Sequence, residues 1–124
     1  MFWTDWSVSS PRIMTAWMDG QHIRAIVRGK SRVFWPNGLA VDAQNDRVYW
    51  TDGRLKSISY ANYDGSDYHV LIRDHSRMPH PYAIAVYKVG LPSHTDMPFV
   101  YIDIYFVHTL TRPLFTLTYT LFTQ

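Results

Sequence analysis

Hydrophobic positions in this chain come in short blocks separated by polar turns, the arrangement expected of strands. Gly38–Asp42 is an apolar run behind a Pro-Asn-Gly turn and predicts a buried inner strand. Ala43–Asp46 is a polar turn, and Arg47–Thr51 beyond it predicts a second strand. Lys56–Asn62 sets Ile58 and Tyr60 against Ser57, Ser59 and Ala61 at period two, giving a third. Asp64-Gly65 is a tight-turn dipeptide, and Tyr68–Arg73 after it predicts a fourth, outermost strand. An incomplete copy of the cycle lies upstream, with Phe2–Thr4, Ile13–Trp17 and Ile23–Arg28 as strands two, three and four. Tyr82–Tyr87 opens a third cycle as another inner strand.

The cycle is an internal repeat. Ile13 pairs with Ile58, Asp19-Gly20 with Asp64-Gly65, Ile26-Val27 with Leu71-Ile72, and Ala40-Val41 with Ala85-Val86, each 45 residues apart. Trp35-Pro36 pairs with His80-Pro81 at the same offset. Phe2-Trp3-Thr4-Asp5 and Tyr49-Trp50-Thr51-Asp52 are 47 apart, which places two extra residues in the first copy near Ser7–Arg12. A repeat of about 40–50 residues built from short strands reads as a propeller blade.

Aromatic-Trp-Thr-Asp, then Met-Asp-Gly or Tyr-Asp-Gly, then Trp-Pro-Asn-Gly-Leu-Ala-Val-Asp, resembles the class B (YWTD) repeats of the low-density lipoprotein receptor family. The resemblance runs from Met1 to about Lys88. It implies an all-β fold, a partial six-bladed β-propeller with about two blades of four-stranded antiparallel sheet. Two blades cannot close a ring, so residues 1–88 are expected to be an incomplete propeller within a longer protein. The resemblance further implies a parent receptor anchored in the cell-surface membrane and reaching endosomes, with this segment on the extracellular side. Its expected partners are protein ligands or the parent's own acidic ligand-binding modules. A Wnt co-receptor propeller and a nidogen-type propeller are the alternatives within the fold.

Composition narrows the reading. The aromatic share of 16% suits strands that stack large side chains between blades. With no Cys, no disulfide framework or Cys-based zinc site is available. The chain opens on Met1-Phe2-Trp3-Thr4-Asp5, already inside a strand, so no signal peptide is expected. The longest apolar stretch, Phe99–Val107, is nine residues with Asp103 inside it, short of the about 18 needed for a membrane helix.

Alternating strands put loops one-to-two and three-to-four on one face and the remaining loops on the other. The first face collects Asp19, Asp42, Asp46, Asp64 and Asp67 against Arg47. The second collects Arg12, Arg28, Lys30, Arg32, Arg54, Lys56, Arg73 and Arg77 against Asp5, Asp52 and Asp74, and carries Trp6, Trp35, His75 and His80. The formal net charge of +2 conceals this split. No nucleic-acid motif accompanies the basic face, so no nucleic-acid partner is expected.

Trp3, Thr4, Asp5, Trp50, Thr51 and Asp52 are read as scaffold. A Trp on strand two can wedge between blades, and a Thr and an Asp at its end can bond open backbone groups. The candidate partner-binding face is Trp35, Arg54, Lys56, His75, Arg77 and His80. By resemblance, His80 matches a position at which loop histidines engage acidic modules at endosomal pH. Lys56 matches a second such position but is already cationic. No metal or other cofactor is expected, since the six histidines show neither helical pairing nor an HExxH pattern. Pro-Asn-Gly-Leu-Ala-Val-Asp also resembles inner strands of calcium-dependent lactonase-like propellers. The chain has no Glu, however, and Asn37 is the one obvious axial ligand, so no enzyme is expected.

Residues 89–124 break the pattern. The 34 residues after Gly90 lack Ala, Asn, Glu, Lys and Trp and are dominated by Phe, Leu, Thr, Tyr, Ser and Pro. Pyrimidine-rich non-coding DNA translates to such a composition, and Lys88-Val89-Gly90 can be encoded across a splice donor. The tail is therefore read as unassigned, with translated intron as the favoured origin. A divergent strand is the alternative, since Thr116–Thr123 alternates Leu and Thr at period two.

Overall fold

A computed structural model describes residues 1–73, 76, 80–88, 99–106 and 116–122. These form ten strands with no helix among the described residues. Strands β1 (Phe2–Asp5), β2 (Arg12–Thr15) and β3 (Arg24–Arg28) make one antiparallel sheet. Strands β4 (Pro36–Asp42), β5 (Arg47–Asp52), β6 (Ser57–Asn62) and β7 (His69–Arg73) make a second. Strands β8 (Pro81–Lys88), β9 (Phe99–Phe106) and β10 (Thr116–Phe122) make a third. Each strand pairs with its neighbour in sequence, so every sheet is a meander of hairpins.

The repeat extends below the level of strands. In both copies the Asp carboxylate of Asp-Gly accepts the backbone N–H two residues on, from Gln21 and from Ser66, each at 2.9 Å. Both glycines sit in the left-handed region, Gly20 at φ 82° and Gly65 at φ 88°, where a side chain would strain the backbone. The residues two positions later, His22 and Asp67, take the same hand at 55° and 54°. The register shift between β2 and β3 falls at Ile13/Met14, and that between β6 and β7 at Ile58/Ser59, the equivalent place. Loop lengths differ where expected: Trp6–Pro11 joins β1 to β2, whereas Gly53–Lys56 joins β5 to β6.

Two cores hold the sheets together. Val48 and Trp50 on β5 pack with Ala61, Val33 and, across the sheet boundary, Ile13 and Val27. Tyr49, from the opposite face of β5, packs with Ile58 and with Ile84 on β8, flanked by Val86. Every β5 residue after Arg47 is buried, as a strand covered on both faces requires. Backbone meets backbone at Gly38, where an added Cβ would lie 2.7 Å from the Tyr82 carbonyl oxygen.

Expected and observed strands agree to within a few residues. The expected Ile13–Trp17 strand ends at Thr15, because Trp17 already closes the next turn by receiving the Gly20 N–H at 3.0 Å. In the tail, β9 pairs with β8 from Lys88↔Val100 to Pro81↔Phe106, and β10 pairs with β9. The alternating segment noted in the sequence is β10. Phe, Tyr, Ile and Thr favour strands by their shape, so this composition makes strands whatever its source.

Candidate functional site

Asp52 organises the rim on which the candidate residues stand. It is fully buried, and its carboxylate accepts four backbone N–H groups. Phe34 donates at 2.7 Å and Trp35 at 3.2 Å from the loop before β4; Arg54 donates at 3.0 Å and Leu55 at 2.8 Å from the turn after β5. A fifth tie runs from the Gly53 N–H to the Trp35 carbonyl at 2.9 Å. The Trp-Thr-Asp end of β5 thus fixes two loops against each other, leaving Trp35 and Arg54 exposed, each in contact with Phe34.

Thr51 reaches the neighbouring sheets' seam. Its hydroxyl accepts the Gly38 N–H at 3.0 Å and donates to the Tyr82 carbonyl at 3.5 Å. Thr4 repeats the second bond one blade earlier, donating to the Asn37 carbonyl at 3.4 Å. Asn37 Nδ2 donates to the Pro81 carbonyl at 3.1 Å, which anchors the residue after His80. His80 is exposed and holds, in the third cycle, the position that Trp35 holds in the second. Lys56 is half-buried in the β5–β6 turn with φ 54°. His75 and Arg77 lie outside the described residues.

The two Trp-Thr-Asp copies differ in surroundings. Trp50 is fully buried and stacks on Tyr68 at 5.9 Å between ring centroids. Trp3 is only half-buried. Asp5 takes the Ser7 N–H at 3.1 Å and pairs with Arg12 at 2.5 Å instead of bridging two loops. The Arg12 hydrogen bond, then the Ser7 N–H, hold its carboxyl below the ordinary aspartate range.

The sequence placed Lys30 on the basic face but outside the candidate set, and Phe34 was not singled out at all. The Lys30 ammonium lies 5.1 Å from the Phe34 ring centroid and the Arg54 guanidinium carbon 5.8 Å from it, while Trp35 meets Phe34 edge-on. An aromatic beside the Trp-Pro pair was the available signal, but no spacing rule singles it out. On the opposite loops, Asn45, Asp46, Asn62, Tyr63 and Asp64 line an open hollow, and the Tyr63 N–H donates to the Asp46 carbonyl at 2.9 Å. Among the described residues no group of His, Asp or Glu is arranged to hold a metal. No helix among them is long and apolar enough to cross a membrane.

This architecture is that of a partial YWTD propeller, and the comparisons agree. The low-density lipoprotein receptor repeat class B matches residues 1–43 and 46–88, and the chain belongs to that family. It is 38% identical over 88 residues to the Vitellogenin receptor Yl of Drosophila melanogaster, covering 71% of this chain and 4% of that protein. It is 33% identical over 88 residues to the Vitellogenin receptor of Solenopsis invicta, covering 71% of this chain and 5% of that one. To the Sortilin-related receptor of Mus musculus it is 42% identical over 83 residues, 67% of this chain and 3% of that protein. The chain therefore spans a few per cent of these relatives' length. A chain from the crystal structure of a nidogen/laminin complex is similar in fold, with TM-score 0.59 and 23% identity, over 83% of this chain and 37% of that one.

Proposed function

We propose that this chain is a segment of the extracellular propeller of an endocytic receptor related to the low-density lipoprotein receptor. In this reading it is a non-enzymatic surface that binds protein. Two relatives are named as vitellogenin receptors, so a protein ligand is the class carried over. The observation that carries the reading is the rim built by Asp52, which presents exposed Trp35 beside Arg54 with His80 on the adjoining blade.

Trp35 and Arg54 are the residue types that dominate binding hot spots. By resemblance, His80 is proposed as the residue of this face that engages acidic modules on acidification. Acidic ligand-binding modules would then dock on the rim in endosomes and displace ligand. Each close exposed pair contributes at most about 1 kcal/mol, so several must act together. His75 and Arg77 are proposed as helpers. The test is to place these blades in a complete six-bladed domain and titrate it with an acidic module at neutral and endosomal pH. Tighter binding on acidification supports the reading; equal or weaker binding refutes it.

A further inference from the structure

The loops tied by Asp52 also gather cations that no carboxylate among the described residues pairs with. Lys30 and Arg54 share the Phe34 ring, and the Arg32 guanidinium carbon lies 5.2 Å from the Tyr68 ring centroid. None of the three forms an ion pair among the described residues. Asp52 is the acid nearest in the chain to Arg54, yet it is buried and its oxygens are occupied by the amides of Phe34, Trp35, Arg54 and Leu55. It shapes the site without forming an ion pair with any of the three cations.

Two like charges on one ring repel, and each cation–π contact at an exposed site is worth only about 0.5–1 kcal/mol. A ligand bearing several fixed negative charges relieves that repulsion, and the rings hold the cations ready for it. Trp35, 47% exposed and edge-on to Phe34, adds a flat apolar surface beside the charges. Sugar rings offer C–H faces to such a surface, and sulfate esters supply charge that does not titrate near neutrality. Single-stranded nucleic acid would need successive free aromatic faces for its bases. Here Phe34 carries Lys30 and Arg54, and Tyr68 carries Arg32 and stacks on Trp50.

We propose that Lys30, Arg32 and Arg54, arranged around Phe34 and Trp35, form a binding site for a sulfated polysaccharide. The site shares Trp35 and Arg54 with the protein-binding rim but needs neither histidine nor acidification. Loss of either activity can therefore be told from loss of the other.

The test is a titration of the 124-residue chain with heparin fragments at increasing salt, at neutral and endosomal pH. The expected result is binding already present at neutral pH, retained in His80→Ala, that weakens steeply with salt. Lys30→Ala and Arg54→Ala should each lower the slope of log K against log salt by about one, as for any lost phosphate-type contact. Phe34→Leu should weaken binding with the charge unchanged. Arg24→Ala, at the far end of β3 from Lys30, should leave it untouched. As a measurement that needs no variant, bound heparin should protect Lys30 from acetylation more than Lys88. The proposal is overturned if Arg24→Ala weakens binding as much as Arg54→Ala. It is equally overturned if desulfated heparin or single-stranded DNA binds as tightly, or if Lys30 and Lys88 are protected alike.

Discussion

Gly38 on β4 and Tyr82 on β8 meet backbone to backbone: a Cβ on Gly38 would stand 2.7 Å from the Tyr82 carbonyl oxygen and 2.8 Å from the Ala83 Cα. Neither neighbour is the end of a flexible side chain, so the strands themselves would have to move apart. Thr51 bridges the same place, bonding the Gly38 N–H and the Tyr82 carbonyl. Gly38→Ala is therefore expected to destabilise the chain by about 1–3 kcal/mol, the range for overpacking. Urea unfolding measures it; a change under about 0.5 kcal/mol, the level of an ordinary surface substitution, would show that the seam is looser than described.

Asp52→Ala removes the acceptor from four backbone donors at once. Stranding one buried donor costs about 1–3 kcal/mol, and water can reach some of these once the loops part. A loss of about 3 kcal/mol is expected, together with a change in Trp35 fluorescence as its loop is released. Asp52→Asn keeps one acceptor geometry and should cost less.

Trp50→Ala should be the most damaging single change in the second sheet, at about 3–5 kcal/mol. The indole Nε1 of Trp50 is buried without an acceptor among the described residues, so Trp50→Phe sacrifices area but no hydrogen bond. Trp3→Ala, at the half-buried copy, should cost clearly less than Trp50→Ala. Thermal unfolding of the three variants ranks them directly.

The Asp5 carboxyl is held low in the folded chain by Arg12 and the Ser7 N–H. A depressed carboxyl stabilises the fold above its unfolded value, near pH 4, and loses that contribution as pH falls through the folded value. Asp5→Asn should therefore be less stable than the parent at neutral pH, and the gap should close as pH falls below about 4. A gap that stays constant down to about pH 2 would remove Asp5 from the acid limb.

The sheets were legible in the sequence because turn chemistry and periodicity agree at each step. Asp64-Gly65 and Asp19-Gly20 demand a left-handed glycine, and both have one. Ile58 and Tyr60 alternate with small residues, and the small ones are buried too because the second sheet is covered on both faces. The basic rim could be listed from topology alone, but its geometry could not. That Asp52 accepts four backbone amides, and that Lys30 and Arg54 share Phe34, depends on loop shapes no spacing encodes. The partnership of β9 and β10 with β8 was hidden for another reason: the tail carries no third Trp-Thr-Asp strand to mark the register.

The origin of that tail is a separate question, and we propose the translated intron as its source. Transcripts should splice near Lys88 and continue elsewhere; a transcript that is continuous through Val89 and first spliced beyond Gln124 would contradict it.

The protein-binding account rests most heavily on His80. In the complete six-bladed domain, binding of an acidic ligand-binding module should be measured across neutral to endosomal pH for the parent, His80→Ala and Lys56→Ala. The account predicts that His80→Ala removes much of the tightening on acidification, while Lys56→Ala weakens binding at every pH and keeps the tightening. A His80→Ala profile that superimposes on the parent's would contradict it.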